Sequence, residues 1–279
     1  MTADWSRAAP QDAEPAQAPA PPNQPTQPSE QPAPLPQAFV LQVEEAHGRD
    51  AWLRQSALQF DLALIVDSNT RLEATILYDI VNRRSRITLP NNMSFVFEGK
   101  RTWSIPHDPL PPESPAFRGW SAIVALPFLL RGDGVACEPQ GVLAIEGKPM
   151  ELARFTGLEI FHDEQRTDAW GIVAAEADTH LIRSAVCMVN VDAGYVQGRR
   201  ASRPYGFALR FDDLVTLEGV KLPTTIRLSN WSGEHGIDPS TALHAQVSNL
   251  RFLEPPADAF VEPMPALQPV PPAAPPNAP

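Results

Sequence analysis

The strongest constraint on this chain is a period of two. From about Leu58 to Phe252 it runs mostly as short alternating segments, with turn residues between them. Leu58, Phe60, Leu62, Leu64 and Val66 alternate with Gln59, Asp61 and Ala63. After a Ser68-Asn69 turn signal, Leu72, Ala74, Ile76 and Tyr78 alternate with Arg71, Glu73, Thr75 and Leu77. Alternation of this kind puts every second side chain on one face, the pattern of strands with one buried side. Arg83 to Leu89 reads as a third, more polar strand and Met93, Phe95 and Phe97 as a fourth. A tight turn at Glu98-Gly99-Lys100 leads into Thr102–Ile105. Further strands are expected at Leu143–Ile145, Met150–Phe155, Leu158–His162, Ala169–Ala174 and Thr179–Val189. Others follow around Phe207–Phe211, Leu222–Leu228 and Leu243–Asn249. Strands joined by turns rather than helices make an antiparallel meander, and about ten of them on one sheet twist and curl.

Two segments break the pattern. From about Ala38 to Arg54, Phe39, Val40, Val43, Ala46, His47 and Leu53 fall near helical spacing, with Glu44, Glu45 and Arg49 opposite. This is an amphipathic helix that has to dock its apolar stripe. Gly48 weakens its middle and marks a bend or a close approach. Gly119 to Leu130 is apolar almost all round, so it is buried or faces an apolar partner. Pro127 kinks or ends it.

About twenty of the 32 prolines lie at or before Pro36 or after Glu254. These Pro/Ala/Gln-rich tails bury too little apolar surface to offset ordering. The expected organisation is a disordered tether over 1–37, one domain over 38–254, and a disordered Pro-rich tail over 255–279. The net charge of −11 and the scattered Arg and Lys argue against a nucleic-acid partner and against anionic membrane surfaces. No apolar run has the length of a spanning helix. Without a signal peptide the expected setting is cytoplasmic. With an export signal already removed it is periplasmic or outer-membrane-associated.

No motif carries catalytic chemistry. Glu159, Asp163, Glu164 and Asp168 cluster in sequence, but loop acids are common in a chain with 33 Asp and Glu. Ser121 lacks the glycines of a nucleophile elbow. His107, His162, His235 and His244 share no metal spacing, and no phosphate loop is present. His47, at a helix end, and His180, at a strand entry, read as structural. An enzyme, a metal site and a cofactor are therefore not expected. Cys137 and Cys187 fit either two reduced thiols or one disulfide in an oxidising compartment.

Several local patterns resemble the LolA/LolB-like lipoprotein-carrier superfamily. One is Ala46-His47-Gly48 with Trp52, closing a helix just before the Leu58–Leu64 strand. Others are Phe97-Glu98-Gly99-Lys100-Arg101-Thr102-Trp103, and Trp120 leading to Leu126-Pro127-Phe128-Leu129-Leu130. Phe211-Asp212-Asp213 is followed by Gly219-Val220-Lys221-Leu222-Pro223-Thr224. Val247-Ser248-Asn249-Leu250-Arg251-Phe252 with Phe260 and Pro263 completes the series. The order over residues 38–264 carries the resemblance. It implies a half-open antiparallel β-barrel covered by an N-terminal helix and a mid-chain helical lid. It also implies a lipid or lipoprotein acyl chain as ligand, and acylated or other envelope proteins as partners.

A sheet this large under two helices has little side-chain volume to fill its concave face, and the space left is an apolar cavity. The residues expected to line the cavity and lid are Phe60, Leu62, Ile76, Phe95, Phe97, Trp103, Trp120, Leu126, Phe128 and Leu129. The expected function is non-enzymatic binding of a hydrophobic ligand by a monomer acting as carrier or sensor. The alternative is an interaction module with a filled core and Pro-rich docking tails.

Overall fold

Alternation builds the sheet strand by strand. The computed structural model describes residues 35–65, 71–99, 101–105, 117, 119–158, 170–196 and 199–262. Helices α1 (Leu35–Ala46) and α2 (Arg49–Trp52) lead into β1 (Ala57–Ile65), β2 (Arg71–Asp79), β3 (Arg84–Thr88), β4 (Ser94–Glu98) and β5 (Arg101–Ile105). Then come α3 (Trp120–Val124) and a 3-10 turn, Leu126–Phe128. The chain returns through β6 (Ala136–Ile145), β7 (Lys148–Thr156), β8 (Trp170–Glu176), β9 (Ile182–Val196), β10 (Arg199–Leu217), β11 (Val220–Ser232) and β12 (Gly236–Leu253). The Ser68-Asn69 turn, His107 and His162 lie outside the described residues, as do Glu159, Asp163, Glu164 and Asp168. Most of both Pro-rich tails does so too.

All the pairings are antiparallel, in the order β5-β4-β3-β2-β1-β12-β11-β10-β9-β8-β7-β6. Among the described residues the edge strands β5 and β6 do not pair with each other, so the sheet is open. Its first and last strands meet in the middle, Ala57 opposite Leu253. Its two edges are consecutive in the chain, so the segment carrying α3 and the 3-10 turn runs from one edge to the other. A flat sheet would hold β4 and β7 roughly 40 Å apart. Phe95 of β4 and Phe155 of β7 nevertheless share one core with α1 and α3. The sheet is therefore curled around these helices, a half-open β fold of the kind the resemblance implied.

The N-terminal helix is shorter and more broken than its sequence period suggests. α1 buries Phe39, Val40 and Val43, His47 is buried just past its end, and α2 buries Trp52, while Leu53 is exposed. Gly48 separates them at φ +88°, and a Cβ there would stand 2.0 Å from the Gly219 carbonyl oxygen. Gly48 thus provides both the bend and the close approach. Glu44 also departs from the expectation of a solvent-facing side chain. It is buried between Arg49, at 3.1 Å, and Arg131, at 3.4 Å. Burial pushes its carboxyl up from the usual range, and the two guanidinium groups partly offset this.

His47 joins three elements. Its Nε2 accepts the Ile182 backbone N–H at 3.1 Å, and its Nδ1–H faces the Lys221 carbonyl oxygen at 3.2 Å. Its own carbonyl accepts the Lys221 N–H at 2.9 Å. Desolvation lowers the ring pKa to about 4, so the ring is neutral at ordinary pH.

Packing bears on the C-terminal boundary and decides between the two readings of the cysteines. The folded domain continues past Glu254: Ala259 and Phe260 are buried against Ala57, Leu77, Val96 and Trp103 on the outer face. The Arg84 guanidinium lies 4.5 Å from the Phe260 ring centroid, and Arg86 donates to the Ala259 carbonyl at 3.3 Å. The Cys137–Cys187 bridge is also excluded. Cys137 pairs with Phe155, Phe155 with Gly171, and Gly171 with Cys187, so the two lie in one row, three strands apart. That is roughly 14 Å, well beyond disulfide reach. Both thiols are free, and burial pushes Cys137 up to about 11 and Cys187 to about 12.

Candidate ligand-binding site

The crossing segment closes the inner face through three contacts. Phe128 stacks on Trp52 of α2, with ring centroids 4.4 Å apart and planes 8° from parallel. Arg131 pairs with Glu44 of α1. Ser121 of α3 meets Ser85 of β3, with the hydroxyl oxygens 2.6 Å apart. The first two contacts tie the segment to the N-terminal helices and the third ties it to the sheet.

Under this cover lies a cavity of about 130 Å³. Tyr78, Ser85, Ile87 and Phe97 form its floor, and Phe117, Gly119, Ser121, Ala122 and Leu129 its roof. Val135, Gly157 and Leu158 close one side, and Arg83 and Asp133 stand at the rim. A cavity near 150 Å³ holds a benzene ring, so this space suits a small group, and its lining is as polar as it is apolar. A long chain needs the cover to move.

The expected lining residues divide into three groups. Phe97 and Leu129 line the cavity. Phe60, Leu62, Ile76, Phe95, Trp120 and Leu126 belong to the packed core beside it, each at most 3% exposed. Phe128 is half-buried and serves the Trp52 stack. Trp103 is the misplaced member. It pairs with Val96, not with Phe95 or Phe97, and faces the outer cluster under Phe260.

The polar residues of the site were not anticipated. Ser85 lies opposite Phe97, in a row whose neighbours along β3 and β4 include Ile87 and Phe95. The signal in the sequence was a serine at an inward position of β3. Arg83 carries no such signal. It sits at φ +53° in the β2–β3 turn, where glycine is the usual residue. Asp79 shapes that turn by accepting from the Asn82 backbone and side-chain N–H groups and from Arg84, each at 2.9 Å. Burial opposes ionisation of Asp79, but these donors outweigh it and hold its pKa below the usual carboxylate value.

Among the described residues, no three of His, Cys, Asp and Glu gather as metal ligands, and no helix is long and apolar enough to cross a membrane.

No protein-family model matches the chain, and no curated protein matches it. Solved structures do resemble it. A DUF1329 family protein from Desulfovibrio piger is 15% identical, with 81% of this chain and 97% of that chain covered at a TM-score of 0.48. An outer membrane lipoprotein-sorting protein domain from Vibrio parahaemolyticus is 11% identical, covering 80% of this chain and 97% of its own, at a TM-score of 0.45. The lipoprotein LppX of Mycobacterium tuberculosis is 11% identical, covering 77% and 95%, at a TM-score of 0.24.

Proposed function

We propose that this chain binds an apolar ligand, without chemical turnover, between its curled sheet and the segment that crosses from β5 to β6. The observation that carries this reading is the cavity of about 130 Å³ under a cover made of short elements. The ligand class is a lipid or the acyl chain of an acylated protein, and the role is that of carrier or sensor. The motif resemblance supports an envelope setting, periplasmic or outer-membrane-associated. Each buried methylene contributes about 0.8 kcal/mol, so affinity should rise with chain length once the cover yields. The test is uptake of a fluorescent fatty acid by the detergent-free protein, followed by native mass spectrometry with solvent extraction. A discrete lipid mass supports the reading. A bare polypeptide that takes up neither fatty acid nor acylated peptide rejects it.

One observation favours the second reading, an interaction module with a filled core. Phe60, Leu62, Ile76, Phe95 and Leu126 are at most 1% exposed and already occupy most of the inner face. Deleting residues 1–36 separates the readings. A carrier keeps its ligand affinity, whereas a tail-docking module loses its partner.

A further inference from the structure

A hydrogen-bond count at the cavity wall indicates what the ligand must carry. Ser85 and Ser121 are 6% and 8% exposed, and both line the cavity. Their hydroxyls meet at 2.6 Å, and neither makes another hydrogen bond among the described residues. Two hydroxyls own two protons, and the contact between them uses only one. One O–H is left beside the cavity without an acceptor among the described residues. A buried donor left unpaired costs about 1–3 kcal/mol.

The rim supplies a second donor. Arg83 makes no ion pair among the described residues, whereas the adjacent Arg84 pairs with Asp79. Its position is built rather than incidental. The left-handed backbone turns it there, and its Nη1 lies 3.0 Å from where a Cβ on Gly132 would stand. A guanidinium offers up to five N–H donors and binds carboxylates bidentately. The rest of the lining includes the apolar side chains of Ile87, Phe97, Phe117 and Leu129.

Resting on the apolar-ligand reading above, we infer that this cavity recognises a free monocarboxylate, its apolar body inside and its carboxylate shared by the Ser85–Ser121 hydroxyls and Arg83. The spare hydroxyl proton can go to an acceptor, and Arg83, exposed at the rim, can donate to an anion. A carboxylate supplies both, and its place at the rim spares it full desolvation. An ester or amide carbonyl would satisfy only the hydroxyl. The volume fits a six-carbon chain or a single aromatic ring. A second carboxylate on the same ligand would have to be buried at the far, apolar end, at the full cost of desolvation.

The test titrates the full chain with hexanoate, adipate, hexanol and hexylamine by isothermal calorimetry, alongside the fluorescent fatty acid. Hexanoate should bind at least about tenfold more tightly than hexanol and adipate, because a charged hydrogen bond is at stake, and hexylamine should bind weakest. Arg83→Gly should abolish the preference for hexanoate over hexanol. This variant relaxes a left-handed backbone, so loss of fold does not explain a loss of binding. The double variant Ser85→Ala/Ser121→Ala, checked for folding by thermal melt, removes both hydroxyl protons and should weaken hexanoate about tenfold. If hexanol or the fluorescent fatty acid binds while hexanoate gains nothing over hexanol, the carboxylate inference fails and the apolar-ligand reading stands. If none of the probes binds, both fail.

Discussion

Trp52 and Phe128 lie face to face at 4.4 Å, joining the end of the N-terminal helical pair to the 3-10 turn of the crossing segment. His47 meets the same Phe128 ring edge-on at 6.4 Å. The cover is therefore held from the helix side as well as by the sheet. Its opening requires this stack to part.

A double-mutant cycle on the stack measures that coupling. Trp52→Ala, Phe128→Ala and the double variant should show an interaction of about 1 kcal/mol in urea unfolding. Phe128→Ala should also speed uptake of the fluorescent fatty acid. An additive cycle with unchanged uptake would mean that Phe128 does not latch the cover.

Gly48 is the most demanding single position. Gly48→Ala forces a Cβ into the Gly219 carbonyl at a backbone angle disfavoured for any side chain. The expected loss is about 3 kcal/mol or more, read as a lower thermal midpoint. A small loss would show that α1 and α2 can shift away from the β10–β11 turn at little cost.

His47 makes stability depend on pH. The folded pKa is near 4, below the unfolded value of 6.5. Unfolding therefore takes up a proton as the pH falls. The contribution of the neutral ring is complete above about pH 6.5 and is lost progressively down to about pH 4. Its full size is about 3 kcal/mol. His47→Gln should lower stability at pH 7 and flatten the stability curve in that window. A parallel curve, merely shifted down, would assign the slope to other groups.

The outer-face clip predicts a sharp truncation boundary. A chain ending at Glu254 loses Ala259 and Phe260 and uncovers Trp103, Val96 and Leu77. A chain ending at Glu262 keeps them. The shorter chain should be less stable by about 2–4 kcal/mol and show red-shifted tryptophan emission. Equal stability of the two would show that the clip adds nothing.

The fold was legible because period two survives wherever one face is buried. The β1–β2 alternation from Leu58 to Tyr78 pairs as it reads, Leu58 with Tyr78 and Phe60 with Ile76. Trp103 was misassigned although its register was within reach. Glu98 pairs with Arg101 across a two-residue turn, which puts Phe95 opposite Ser104 and Trp103 opposite Val96. The cysteines needed the register of four strands, from β6 to β9, which alternation alone does not provide. Arg83 was hidden for another reason. Its place in the cavity lining depends on a left-handed turn and on a space left by packing, and neither leaves a pattern in the residues themselves.

The meeting of β1 and β12 in the middle of the sheet bears on how the chain is made. Ser56 and Glu254, 198 positions apart, are joined by a hydrogen bond where the two strands begin and end. Contacts of such sequence separation slow folding, because a long loop must close before they form. The meander β1–β5 can assemble from local pairs soon after synthesis, but β1 keeps an open edge until the last strand has been translated. During that interval a nine-residue strand with Phe60, Leu62 and Leu64 on one side is free to pair wrongly. The nascent chain is thus most vulnerable along the line that becomes the centre of the finished sheet.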